Sequence, residues 1–274
     1  MIAARPRLEP SRPLGSSGIL DRVAVVLRGT TRRLALVALV AAGTVALLGG
    51  SAQANTVTVG SSLTAPGFSL VNFGPPATVT NYVLPAPATA ASPVDGTVIS
   101  WRFIGSGGPL IPRVLRSTSG TTMTGVASGT AQSAMASNVI SGPFSLGLPI
   151  KKGEYFGVDG GGGASLSAAP TPGATSLYFE PALANGAPGS APVATNPEED
   201  AISATVRFCK VPKMKGLSGK AARQALNAAD CRIGQVTKGK RKPIKKVLKQ
   251  GVKAGTSISD TQPVNLTISR KKKS

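Results

Sequence analysis

Histidine is absent from this 274-residue sequence, aromatic residues make up only 4% of it, and cysteine occurs twice. Each scarcity removes a class of chemistry. Without histidine there is no imidazole to activate a serine or cysteine nucleophile and none to ligate a metal. Two cysteines alone cannot complete a four-ligand metal site, so no metal and no cofactor is expected. Acidic residues are also few, 11 in all, with seven between 55 and 206. Glu154 and Glu180 stand isolated there, although paired carboxylates for glycoside cleavage can be assembled from distant strands. The reading is that the chain is not an enzyme. Long apolar runs are missing too. Leu34 to Leu48 is the apolar stretch near the start, short of the roughly 20 residues that span a bilayer.

What the sequence does have is basic charge at one end. The net charge is +20. Residues 1–54 carry seven Arg and two acids, 55–206 five bases and seven acids, and 207–274 nineteen bases and two acids. The split is therefore +5, −2 and +17.

Arg28, Arg32 and Arg33 precede the apolar run, and Ala52-Gln53-Ala54 follows it. Positive region, short apolar region and small-x-small site are the layout of a secretory signal. Residues 1–54 are read as a signal peptide cut between Ala54 and Asn55, which leaves no stable membrane span. The Arg32-Arg33 pair keeps both the general secretory and the twin-arginine route open. Outside the cytoplasm an even pair of cysteines is usually bridged. Cys209 and Cys231 are therefore expected to form a disulfide.

Residues 55–208 read as a mainly β domain. With 33 Gly and 22 Pro in the chain, short strands joined by turns fit better than helices. Ile202, Ala204, Val206 and Phe208 alternate with Ser203, Thr205 and Arg207, and Ile99, Trp101 and Phe103 with Ser100 and Arg102. Phe156 and Val158 continue the pattern. Period two argues half-buried antiparallel strands and a β-sandwich, a jelly roll being one form of it. Pro112 inside a run predicts an edge strand or a bulge. Gly160–Ala174 and Pro181–Pro197 read as mobile loops, and Glu198-Glu199-Asp200 as a solvated acidic loop. Asp159 before four glycines reads as a turn. Trp101 is expected in the core.

From Val211 the pattern changes. Ser218 is a suitable N-cap, and Ala222, Leu226 and Ala229 fall on one helical face. Strands are expected over Cys231–Val236, Lys246–Gln250 and Pro263–Ser269, with a long basic loop over Lys238–Lys245. One helix on a small three-stranded sheet makes an α+β unit.

The strings VPKMKGLSGKAARQALNAADCRIGQV, KVLKQGVKAGTSI and PVNLTIS resemble one copy of a PASTA domain. Val211, Pro212, Gly216, Ala222, Leu226, Val247, Gln250, Gly255, Val264, Leu266 and Ile268 occupy that family's pattern. Val252 stands where the family often has Pro, and Cys231 where Leu is common. The resemblance places the module at 209–269, followed by a basic tail, 270–274. It implies recognition of peptidoglycan in bacterial surface proteins. Lys238, Lys240, Arg241, Lys242, Lys245 and Lys246 are the candidate contacts to an anionic polymer, because clustered cations raise the local concentration of acidic ligands. Residues 209–274 contain no Phe, Tyr or Trp, so neither sugars nor single-stranded nucleic acid would find a stacking platform, and nucleic acid is not an expected partner. The expectation is a secreted, wall-associated, non-catalytic protein. The alternative is a lectin-like or carbohydrate-active sandwich with Trp101, Tyr155 and the Asp159 loop lining a sugar cleft, the C-terminal module serving as wall attachment.

Overall fold

The structure, a computed structural model, describes residues 55–65, 67–242 and 245–271, without the side chains of 240–242 and 271. The signal segment with Ala54 lies outside these residues, as do 272–274 of the basic tail; Asn55 is the first described residue. Among the described residues no helix is long and apolar enough to cross a membrane.

The chain is mainly β. Its first part contains β1 (Thr56–Gly60), β2 (Ser69–Asn72), β3 (Ala77–Val83), β4 (Gly96–Gly107), β5 (Ile111–Ser119), β6 (Thr122–Ser128) and β7 (Ile140–Ile150). It continues with β8 (Tyr155–Gly160), β9 (Ala164–Pro170), β10 (Thr175–Phe179), β11 (Ala194–Asn196), β12 (Glu198–Asp200) and β13 (Ile202–Lys210). One sheet runs β1-β13-β4-β9-β12, with β7 beside β4 and β2 beside β9; the other runs β11-β10-β3-β8-β5-β6. Val59, Val98, Trp101, Phe103, Leu166, Ile202, Ala204 and Val206 of the first sheet share one core with Val79, Val114, Phe156 and Val158 of the second. Trp101 lies within it, stacked on Phe103 with ring centroids 5.1 Å apart.

Several expectations need correction. Ile99 is not a core residue; Val98 is. Pairing with β13 skips from Val98 to Ser100, so Ile99 is the extra residue of a bulge and the inward parity reverses across it. Pro112 marks neither an edge nor a bulge. It lies at the second residue of β5, flanked by β8 but ahead of the point where β6 pairing begins at Arg113. Gly160–Ala174 is not a loop throughout, because β9 occupies its middle between β4, β2 and β12. Six successive residues of β9 are buried, and Ala and Ser suit a strand covered on both faces. Such small residues carry little strand propensity, which hides the element from periodicity. Pro181–Pro197 is held down: Gly186 N donates to Gly125 O at 2.9 Å, Ser190 pairs with Met123, and β11 pairs with β10. Strand β7, absent from the expectations, is punctuated by Pro143 and Pro149, which its position beside β4 alone tolerates.

The C-terminal module holds α1 (Gly219–Ala228), β14 (Ile233–Lys242), β15 (Val247–Gln250), β16 (Ser257–Ser259) and β17 (Val264–Lys271). Its sheet order is β14-β17-β15, with β14 parallel and β15 antiparallel to β17. Ser218 caps α1 by accepting from Ala221 N at 3.1 Å, and Ala222 and Leu226 are buried against the sheet. Residues 238–242 are therefore strand, not loop. β14 continues past Val236 because β17 is long enough to pair with it as far as Lys271.

Strand β13 belongs to both parts. Its even positions, Ile202, Ala204 and Val206, enter the sandwich core. Its odd face turns the other way, so Cys209, and Val211 just beyond the strand, enter the second core. Phe208, expected in the first core, is only half-buried at the changeover. Cys209 and Cys231 are disulfide-bonded, with Cα atoms 4.9 Å apart. Cys231 lies between α1 and β14, two residues short of the strand it was expected to open. β16 pairs with the end of β13, and Asp260 just after it accepts from Arg207 Nε at 2.8 Å and Thr97 Oγ1 at 2.5 Å. Bridge, ladder and ion pair thus tie the module to the sandwich.

Candidate functional site

The module carries a groove of about 680 Å³ between the start of α1 and the β14–β17 edge. Three local features shape it. Gly216, at φ +89°, makes the turn that brings Ser218 to the helix start. Gly219 sits close over β17, where an added Cβ would lie 3.2 Å from Ile268 Cδ1. β14 runs beside β17 in a register that sets Lys238 opposite Ile268.

The floor is apolar, from Val236 and Ile268, and the rim is cationic, from Lys220, Lys238, Lys245 and Arg270. All four cations are exposed. None forms an ion pair among the described residues, where the salt bridges are Arg113–Asp159, Arg116–Glu154 and Arg207–Asp260. No acidic residue stands in the first turn of α1 to offset the positive end of the helix. A groove with four unpaired cations and an apolar floor suits an anionic ligand that also carries small apolar groups.

Of the six candidate contacts, Lys238 and Lys245 line this groove. Lys246 is exposed but stands outside the lining, its backbone N donating to Ser269 Oγ at 2.9 Å. Lys240, Arg241 and Lys242 have their backbone in β14, and their side chains lie outside the described residues. Sequence reasoning passed over Lys220, which follows the N-cap on the helix face turned away from Ala222 and Leu226, and placed Arg270 in a tail. The signal for Lys220 was its position two residues after Ser218, where a helix start and a cation coincide.

The sandwich candidates are structural. Asp159 belongs to β8, not to a turn. It is buried, pairs with Arg113 Nη1 at 3.0 Å and accepts from Thr78 Oγ1 at 2.5 Å. Burial raises its pKa, while Thr78 and Arg113 oppose the rise. Glu154 is buried and accepts from Arg116 Nε at 2.9 Å and Nη2 at 2.7 Å. Tyr155 stacks on Tyr82, and Trp101 is 1% exposed. Trp101, Tyr155 and Asp159 therefore do not line a sugar cleft.

The acidic triplet is not a solvated loop. Glu199 and Asp200 are buried in β12, which pairs with β9. Glu199 accepts from Ser61 Oγ. Asp200 exchanges backbone bonds with Asn81, its N donating to Asn81 Oδ1 at 2.8 Å and its O accepting from Asn81 Nδ2 at 2.9 Å. Burial, with Glu198 beside it, pushes the Asp200 carboxyl up to about 8. Among the described residues no group of three or more Asp, Glu or Cys could hold a metal ion.

Compared with protein families, residues 210–270 match the model of the PASTA domain, in one copy toward the C-terminal end. Neither a curated protein nor a solved structure matches the chain. PASTA domains are extracytoplasmic, cell-wall-related modules, and the Cys209–Cys231 bridge fits an oxidising compartment.

Proposed function

We propose that this protein is a secreted, non-catalytic envelope protein whose PASTA domain holds it to the wall by binding peptidoglycan or another anionic wall polymer in the groove at residues 218–270. The observation that carries the reading is the set of four exposed cations, Lys220, Lys238, Lys245 and Arg270, with no ion pair among the described residues, around one groove of the matched domain. Carboxylates of a wall polymer would meet Arg270 and the lysines through charge-assisted hydrogen bonds, each stronger than a neutral one. Methyl-bearing parts of the ligand would cover Val236 and Ile268. The lack of aromatic residues over 209–274 leaves ionic and backbone contacts as the means of recognition.

A single copy has no avidity from repeats. The fused sandwich compensates in part by rigidity, since bridge, ladder and ion pair present the groove in one orientation. The test is co-sedimentation of the exported protein with purified wall. Wild type should pellet with the wall. The variant with Lys220, Lys238, Lys245 and Arg270 all changed to Gln should stay in the supernatant while unfolding at an unchanged temperature. Full retention of that folded variant would contradict the reading.

A further inference from the structure

The first sheet of the sandwich carries, on the face turned away from its core, a cleft of about 400 Å³. β1, β13 and β4 lie side by side as its floor. Thr58 stands opposite Thr205, and Ser203 lies between Gly60 and Arg102. These residues share the outer face because they alternate with Val59, Ala204, Trp101 and Phe103, which face the core. Gly60 keeps the floor low. Its φ is +100°, and an added Cβ would lie 2.4 Å from the Ile202 carbonyl oxygen.

The walls are Ser61–Leu63 on one side and Pro87–Ala88 on the other. The first wall is held before any ligand arrives. Ser61 Oγ donates to the buried carboxylate of Glu199 and accepts from Leu63 N at 2.8 Å. Leu63 has φ +59°, a conformation uncommon for a branched side chain, and packing against Ile104 and Ala201 keeps it there. Strain of this kind persists only where the surroundings impose it, and it concentrates at binding sites.

Arg102 is the one charged residue lining the cleft. Of the four arginines in the sandwich, Arg113, Arg116 and Arg207 are paired with Asp159, Glu154 and Asp260. Arg102 is exposed and has no ion pair or hydrogen bond among the described residues. The side-chain hydroxyls of Thr58, Ser203 and Thr205 likewise make no hydrogen bond among the described residues. The cleft therefore offers one planar, bidentate cation ringed by hydroxyls that can donate or accept.

We infer that this cleft binds a carboxylated sugar residue, Arg102 taking the carboxylate and Thr58, Ser203 and Thr205 the ring hydroxyls. A lone guanidinium balances a single carboxylate, whereas a phosphate dianion would call for more positive charge. Hydroxyls match a polyol better than they match a peptide, whose apolar side chains would meet Leu63, Pro87, Ala88 and Ile140 at the rim but the hydroxyls of Thr58, Ser203 and Thr205 at the floor. The volume is at the small end of ligand sites and suits one or two sugar rings. The site is separate from the groove at 218–270 and does not depend on that groove's function.

The experiment is an NMR titration of the exported protein with glucuronic acid, with glucose and acetate as the uncharged and the non-sugar counterparts. Glucuronate should shift the amides of Gly60, Ser61, Arg102 and Ser203 saturably, and more tightly than either counterpart. Arg102→Gln should weaken it at least tenfold, Arg102→Lys less, and Ser203→Ala by a few-fold. The unfolding temperature should not change, since Arg102 is exposed. Equal binding of glucose, equal binding of acetate, unchanged binding by folded Arg102→Gln, shifts confined to the groove around Lys238 and Arg270, or no saturable shift at all would each overturn the inference.

Discussion

Arg113 of the sandwich is 8% exposed with Asp159 at 3.0 Å, whereas Lys238, Lys245 and Arg270 of the C-terminal module are exposed and form no ion pair among the described residues. The two regions are joined by one strand and share a disulfide, yet they handle charge in opposite ways. The sandwich places most of its acids inside, against arginine, serine or threonine partners, and its net charge is small. The module leaves its described cations exposed, and the four at the groove form no ion pair among the described residues. Burying a charge obliges the fold to provide a partner, so charge in the sandwich is architecture. Exposed charge adds little to stability, so charge in the module is available for a ligand.

That contrast is broken most forcefully at Arg113. Arg113→Ala would leave Asp159 buried without its cation and should cost about 3–5 kcal/mol of stability, measured by chemical denaturation. The Gln exchange at all four groove cations should change stability by less than about 1 kcal/mol. Similar losses in both variants would erase the distinction.

The shared strand offers the next test. The bridge closes a loop with a sequence separation of 22, which contributes about 3 kcal/mol in the chain-entropy account. Replacing both Cys209 and Cys231 by Ala should lower stability by about that amount. Hydrogen exchange should quicken in α1 and β14–β17 far more than in β3, β5 and β8.

Asp200 gives a pH signature that the module cannot. Its folded carboxyl holds a proton up to about pH 8, whereas in the unfolded chain it releases that proton near pH 4. Folding therefore takes up a proton between these values. The stabilisation is fully present below about pH 4 and is lost as pH rises toward about 8. The limiting slope is about 1.4 kcal/mol per pH unit. Asp200→Asn should flatten the decline seen between about pH 5 and pH 8 in denaturation curves. An equally steep decline in the variant would assign it to other groups.

A smaller effect is expected at the helix start. Ser218→Ala removes the bond from Ala221 N and should cost about 1 kcal/mol, while leaving all four cations in place. Thermal unfolding measures the first effect, and wall binding at low temperature checks the second.

The module was the more legible region. Its helix shows period 3.6 and a capping serine, its strands show period two, and a run of spaced residues matches one family's pattern. What stayed hidden was register. Nothing in Lys238–Lys242 as a string says strand, because the pairing that makes it one comes from β17. The sandwich yielded its strands wherever large apolar residues alternate, as in β13 and β8. It hid β9, made of Ala, Ser and Leu, and β7, broken by Pro143 and Pro149. It also hid the bulge at Ile99, which one unpaired residue creates. Glu199 and Asp200 read as surface because acids usually are. Their partners, Ser61 and Asn81, come from strands or loops more than a hundred residues away. For the same reason the hydroxyl cleft around Arg102 could not be read from any one segment.

In the proposed function, the exposed charge of the module is what holds the wall. Fields of exposed lysines are screened over about 8 Å at physiological salt. The decisive measurement is a wall-binding isotherm at a series of salt concentrations, for wild type and for the variant with Gln at 220, 238, 245 and 270. Wild-type affinity should fall steadily as salt rises, and the variant should bind weakly with a much shallower salt dependence. Tight binding that ignores salt and survives the four substitutions would contradict the account.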